Sequence, residues 1–350
     1  MPSTARALRI GLTGLLLALA PLASALDASQ LGLIINVDDP YSVAIGEYYK
    51  SRRAIPADNI VLVRLPVGTA EISRHTFAPI KSIVDSALPD HVQALAIAWT
   101  SPSRVECNSI TSALARGFAP EPCDAEVKSP TCGLIAPSPY FNSPSRRPFT
   151  DFGMRPAMLL AAPDLESGKA LIDRGIAADG TRPRGSAYLM KSGDATRSLR
   201  AQRFDTEMLG KRISPFVDVR IVEGAAISNR DDALFYFQGR TTVEALDSNR
   251  FPPGAIVDNL TSFGGMLTDP RGGQISALEF IRHGATGSFG TVSEPCAHAS
   301  KFPDPAVLIK RYTGGETLIE AYWKSVLVTF QGLFIGEPLA SPWRGENPQP

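Results

Sequence analysis

Leu31-Gly32-Leu33-Ile34-Ile35-Asn36 is a short apolar run that gives way to Val37-Asp38-Asp39-Pro40, after which Tyr41, Ile45, Tyr48 and Tyr49 recur at helical spacing. An unbroken apolar run of this length, closed by turn residues, reads as a strand buried on both faces, and the recurrence behind it as an amphipathic helix. The same alternation continues outward. Residues 59–66 alternate like a strand, residues 77–88 carry a helical period through Ile80, Ile83 and Val84, and residues 92–99 form a continuous apolar run. The order β-α-β-α-β predicts an α/β fold built on a mostly parallel sheet with helices on both faces.

Between residues 100 and 156 the chain changes character. It becomes rich in Pro, Ser and Arg, and it holds Cys107, Cys123 and Cys132 together with Ser138-Pro-Tyr-Phe-Asn-Ser143. A loop this long inside a compact domain is usually functional, so a disulfide-bearing insertion is expected here. Strands are then expected at 157–162, 186–190, 217–222, 234–237, 255–257 and 286–291. Helices are expected at 165–177, after Asp194, at 276–283 and at 317–328, the last with Leu318, Tyr322 and Val326 as its apolar stripe.

Arg6 and Arg9 precede an apolar run from Ile10 to Leu22 that ends in Ala23-Ser24-Ala25, the pattern of a signal peptide cleaved near Ala25. The run is shorter than the roughly 20 residues that cross a bilayer. Residues 1–25 are therefore expected to be removed, leaving residues 26–350 as one large α/β domain, periplasmic or secreted, with no transmembrane anchor. Lys plus Arg balances Asp plus Glu at 35 each, so no overall field favours nucleic acid. In an oxidising compartment Cys107, Cys123, Cys132 and Cys296 are expected to form two bridges. Three pairings are open; loop locality favours Cys123 with Cys132, which leaves Cys107 with Cys296.

No glycine-rich dinucleotide turn, no phosphate-binding glycine loop and no Gly-x-Ser-x-Gly elbow occurs. Open parallel sheets bind ligands at the carboxyl ends of their strands. There stands Asp258-Asn-Leu-Thr-Ser262-Phe-Gly264-Gly265, where Ser262 is a candidate nucleophile, Asp258 a candidate base, and the glycines would let the backbone approach a ligand. The bland alternative is that Ser and Asp cap a turn. Asp38 and Asp39 end the first strand and Glu294 follows a late one, so these carboxylates would gather with Asp258 at one sheet edge and hold a divalent cation, or else remain separate caps. Arg146, Arg147 and Arg155 flank Tyr140 and Asn142, a combination suited to carboxylate, phosphate or anionic glycan. Cys296-Ala297-His298 is a further weak pair, and His75, His91 and His283 are assigned no catalytic role.

Several stretches together resemble a family of exported bacterial proteins of uncharacterised activity, found mainly in genomes that encode exosortase-type protein-sorting systems. They are residues 39–49 (Asp-Pro-Tyr-Ser-Val-Ala-Ile-Gly-Glu-Tyr-Tyr), 109–114, 138–143, 258–265, 284–296 and 315–322, spread over most of residues 26–350. More distantly, the C-terminal third is similar to gingipain and caspase cysteine peptidases through Gly284-Ala285, Ala321-Tyr322 and Gly336-Glu337-Pro338. The resemblance implies a caspase-like fold with His at the end of one strand and Cys at the end of the next. The chain reads Tyr236-Phe-Gln-Gly-Arg240 and Asp258-Asn-Leu-Thr-Ser262 at those places, and the thiolate and base of that chemistry are missing. Two readings follow: a non-catalytic or diverged peptidase-like domain that binds a cell-envelope peptide, protein or glycan, or a hydrolase with a rearranged site of Asp258, Ser262 and Glu294, with or without a metal.

Overall fold

The computed structural model describes residues 25–123, 136–208, 213–294 and 298–345. The opening unit forms as its sequence dictates. Strand β1 (Leu31–Asn36) is buried throughout, and Asp39 then accepts the Tyr41 amide to cap α1 (Pro40–Arg53), with Pro40 in the first turn where its missing N–H has no partner to lose. Strand β2 (Ile60–Val63) returns parallel to β1. After the short β3 (Glu71–Ile72), α2 (Arg74–Ala87) leads to β4 (Ala94–Ile97), which pairs with the other side of β1.

The stretch expected as a loop is partly ordered into elements. Strands β5 (Arg104–Val105) and β6 (Asn108–Ser109) join β3 in a small separate sheet, and Ser109 caps α3 (Ile110–Arg116) by accepting the Ser112 amide. Helix α4 (Pro148–Phe152) precedes β7 (Ala157–Leu159). There follow α5 (Leu165–Ala178), β8 (Gly185–Lys191), α6 (Leu199–Met208), β9 (Val217–Glu223), β10 (Ala233–Gln238), β11 (Ile256–Asn259), α7 (Ala277–Arg282), β12 (Gly287–Thr291), α8 (Pro305–Thr313), α9 (Leu318–Ser325) and β13 (Gly332–Gly336).

The main sheet has ten strands in the order β2-β1-β4-β7-β13-β12-β11-β10-β8-β9. It is mixed, and the exception is β13, which pairs antiparallel with β12 over five residues. Its single bridge to β7, Ile335 to Leu159, is of parallel type, but the position of its carboxyl end decides its direction. Glu337, just past β13, accepts from Tyr49 and Arg53 at the end of α1, which is the amino edge of β1. The reversal has a simple cause. Two helices, α8 and α9, separate β12 from β13, and they run against each other, since the Asp304 amide at the start of α8 donates to the Ser325 carbonyl at the end of α9. An even number of crossings returns the chain to the edge it left, and the next strand must run back.

Each strand sends alternate side chains into two cores. Leu33, Ile35, Phe235 and Phe237 pack with α1, α6, α8 and α9, whereas Ile34, Leu95, Ile97 and Tyr236 pack with α2, α3 and α7. Helices thus cover both faces. Among the described residues no helix is long and apolar enough to cross a membrane.

One disulfide is present among the described residues, and it corrects the expected pairing. Cys107 bonds to Cys123 with a Cα separation of 5.2 Å, so Cys123 is not available to Cys132, nor Cys107 to Cys296. The cause is local. Asn108 donates to the Ala119 carbonyl and accepts the Ala119 amide, folding the chain after α3 back onto the β5–β6 turn. Cys132 and Cys296 lie outside the described residues.

Candidate functional site

With nine strands pointing the same way, their carboxyl ends share one edge, and the order reverses there twice. The chain goes out from β1 to β2 and comes back to β4, and it goes out from β8 to β9 and comes back to β10. Each reversal leaves two neighbouring loops diverging to opposite sides, which is where open α/β sheets form a crevice.

The first reversal is closed. The Asn36 side chain donates to the Leu65 carbonyl and accepts its amide, tying the turn after β1 to the turn after β2. Asp39 is spent on capping α1, and Asp38 pairs with Arg64. The expected cation site does not assemble: Asp38, Asp39, Asp258 and Glu294 have separate partners, and among the described residues no group of three or more His, Cys, Asp or Glu side chains is placed to hold a metal.

The second reversal is open. A polar cleft of about 570 Å³ lies over the ends of β8, β9 and β10, walled by Lys191, Ser192 and Asp194 on one side, Glu223 on another and Arg240 on a third. Its frame is rigidly tied. The Ser192 hydroxyl donates to the Gly239 carbonyl at 2.6 Å, and Gly239 has no room for a side chain, because a Cβ there would sit 2.0 Å from the Arg197 carbonyl oxygen. Asn259 accepts the Arg240 amide and donates to its carbonyl, extending the β10–β11 ladder by one side-chain-mediated rung. Asp194 accepts the Arg197 amide and pairs with its guanidinium at 2.6 Å, and these bonds hold its carboxyl below the usual carboxylate range.

Gln238 is the last residue of β10. Its side-chain amide donates to the Ala225 carbonyl at 2.7 Å and the Tyr236 hydroxyl at 2.8 Å, while its oxygen accepts the Gly239 amide. Every polar atom of the side chain has a partner within the fold. A second depression, of about 110 Å³, lies between α6 and the start of α8 and is lined largely by Phe204, Phe302, Pro303 and Leu327.

The sequence-derived candidates do not meet at this cleft. Asp258 is a core residue: its carboxylate accepts from the Tyr322 hydroxyl at 2.7 Å and lies 3.6 Å from Arg200, and burial pushes its pKa up to about 6 against the opposing pull of both partners. Ser262 lies in the turn beyond β11, which is fastened by Gln274 and by Thr291, whose hydroxyl donates to the Ser262 carbonyl. No hydrogen bond joins its own hydroxyl to another described residue. Glu294 pairs with the buried Lys301 at 3.2 Å. Asp258, Ser262 and Glu294 therefore bond to different partners and not to one another.

Gly264 and Gly265 belong to a packed turn. They lie against β12, where a Cβ on Gly290 would come within 2.3 Å of the Gly264 and Gly265 backbone. The aromatic and arginine candidates make contacts within the fold, while Asn142 and Arg147 remain exposed. Tyr140 is fully buried, and Asn142 accepts from Arg311 while donating its amide to the Lys324 carbonyl. Arg155 is buried at the opposite edge, donating to the carbonyls of Val92 and Pro89 and stacking 3.4 Å above Phe149. Arg147 pairs with Asp151, and Arg146 is half-buried.

Lys191, Ser192, Asp194, Glu223 and Arg240 escaped the sequence reading, although Lys-Ser-Gly-Asp directly after a strand is a recognisable polar turn. Only the strand order reveals that this turn borders a reversal. Compared with protein-family models, with curated proteins and with solved structures, the chain matches none.

Proposed function

We propose that the protein acts outside the cytoplasm as a diverged, non-hydrolytic member of the gingipain- and caspase-like group, holding a peptide segment in the cleft over β8, β9 and β10. The observation that carries this reading is Gln238. At the end of β10, in the stretch where the resemblance implies a catalytic His, the side chain is neutral and its hydrogen-bonding capacity is used within the protein, so the histidine base of that chemistry is missing beside the cleft.

The character of the cleft favours a peptide over a glycan. It sets Lys191 and Arg240 against Asp194 and Glu223, with serine hydroxyls between them, which suits the amides and mixed charges of a polypeptide; among the described residues no aromatic ring lines it for a sugar to stack upon. Strand β9 adjoins it at the open edge of the sheet, where a bound chain can add main-chain hydrogen bonds. The exosortase association implied by the sequence resemblance makes a sorted envelope protein the natural source of that peptide.

The test is to screen residues 26–350 against a peptide library for both retention and cleavage by mass spectrometry. Retained, uncut peptides whose binding weakens at least tenfold in Arg240→Ala and Lys191→Ala, with unchanged melting temperatures, are the expected result. Cleavage products that vanish in Ser262→Ala would overturn the proposal and restore the hydrolase reading.

A further inference from the structure

Leu26 directly follows Ala23-Ser24-Ala25, where the sequence predicts leader removal, and it is not a loose end. It is 1% exposed in the core beside α9, and its backbone nitrogen donates to Glu320 Oε2 at 3.2 Å. Glu320 Oε2 also accepts the Thr317 amide and hydroxyl, at 2.9 and 2.7 Å, as half of the capping box that starts α9. Its other oxygen, Oε1, is buried without a partner among the described residues.

One helical turn earlier the pattern repeats. Glu316 Oε1 accepts from Lys324 Nζ at 2.7 Å, with both side chains sealed from solvent, whereas Glu316 Oε2 has no partner among the described residues. Arg311 reaches Glu316 at 3.5 Å from the less buried side. Both cations, Lys324 and the less buried Arg311, thus fall to Glu316, and among the described residues no Lys, Arg or His pairs with Glu320. Sealing an uncompensated carboxylate in a protein interior is strongly unfavourable, and a peptide N–H at Leu26 contributes one donor and no charge.

We propose that hydrolysis of the Ala25–Leu26 bond completes this cluster: the freed Leu26 amine, protonated to an α-ammonium, docks on the Glu320 carboxylate and supplies the missing positive charge. The reaction consumes one water. It leaves the leader ending in the Ala25 carboxylate and the mature chain beginning with an amine that takes up a proton. The ammonium brings two N–H groups more than the amide, and the carboxylate it already touches carries the unpartnered Oε1. Ala25 is itself buried, so a protease cannot reach this bond once the domain has closed, and cleavage must come before docking. The fold thereby registers its own processing: a chain that folds with the leader attached lacks the charge at its core.

The exported protein should begin at Leu26 by N-terminal sequencing, and any other start overturns the proposal. Two chains, released from fusions by exact cleavage to begin at Leu26 or at Ser24, should then differ in urea denaturation by at least tenfold in folding equilibrium constant, in favour of Leu26. In Glu320→Gln the difference should shrink to less than twofold; equal stability of the two parents, or an undiminished difference in the variant, refutes the pairing. Should Glu320→Gln fail to fold, amine acylation at neutral pH decides. The Leu26 α-amine should react at least a hundredfold more slowly in the native than in the urea-unfolded protein, and fast native labelling rejects the docked ammonium.

Discussion

Arg200 and Asp258 face each other across 3.6 Å in the core beneath β11, at 5% and 1% side-chain exposure, yet this proximity does not restore the carboxyl to its ordinary acidity. Desolvation outweighs the attraction, and the pKa stands at about 6 against an ordinary 3.8. Arg200 also donates through Nη2 to the Gln238 carbonyl at 2.7 Å and lies over the Phe237 ring.

A raised pKa means that the folded state prefers the protonated acid. The associated stability is fully present below pH 3.8 and is lost as the pH climbs to about 6, amounting to roughly 3 kcal/mol at 1.36 kcal/mol per unit. Asp258→Asn, a neutral isostere, should therefore match the parent near pH 3.8 and exceed it by up to roughly 3 kcal/mol at pH 7 in urea denaturation, with peptide retention intact. A variant less stable than the parent at pH 7, or one that loses peptide binding, would show that the carboxylate has a positive task.

The misplacement of Asp258 in the sequence reading shows what pattern alone can decide. The apolar run that marks this strand ends at Val257, which put Asp258 beyond it at the exposed edge; the strand continues to Asn259, and alternation turns Asp258 inward. A boundary error of two residues thus converted a core group into an apparent catalytic one. Where apolar patterning and capping residues agree, as at Leu31–Asn36 with Asp39 and Pro40, element and boundary were both legible. The reversed β13 and the open crevice at Lys191 and Arg240 were not, since both depend on the order in which strands pair, and strand order leaves no mark on a single chain. The absence of His from residues 236–240 was visible, but the engagement of Gln238 with Ala225 and Tyr236 required the fold.

The glycines distinguish a ligand loop from a packing contact. A Cβ on Gly290 would meet the backbone of Gly264 and Gly265 at 2.3 Å, and neither strand nor turn can withdraw, because the Gly265 amide donates to the Thr291 carbonyl. Gly264 itself has its nearest neighbours at 3.5 Å or more, an ordinary contact distance. Gly290→Ala should cost about 3 kcal/mol or more by thermal or urea denaturation, as overpacking against backbone does, while Gly264→Ala should change stability by less than about 0.5 kcal/mol. Equal tolerance at both positions would remove the packing explanation.

The Cys107–Cys123 bridge closes a loop of sequence separation 16 that contains α3, and that loop is fastened to the sheet edge by the Ser293 hydroxyl, which donates to the Cys107 carbonyl at 2.6 Å. In the loop-entropy account a crosslink of this length contributes about 3 kcal/mol. Replacing both cysteines by serine should lower stability by about 2–4 kcal/mol. The fold should nonetheless survive, because the Asn108–Ala119 hydrogen bonds and the buried face of α3 remain. The loss should also be local. Amide exchange should quicken across residues 101–123 and around Ser293, while β8, β10 and the cleft over them keep their protection. Uniform acceleration through β8 and β10 would instead make the bridge a support of the whole sheet, and the peptide cleft would then depend on the redox state of its compartment.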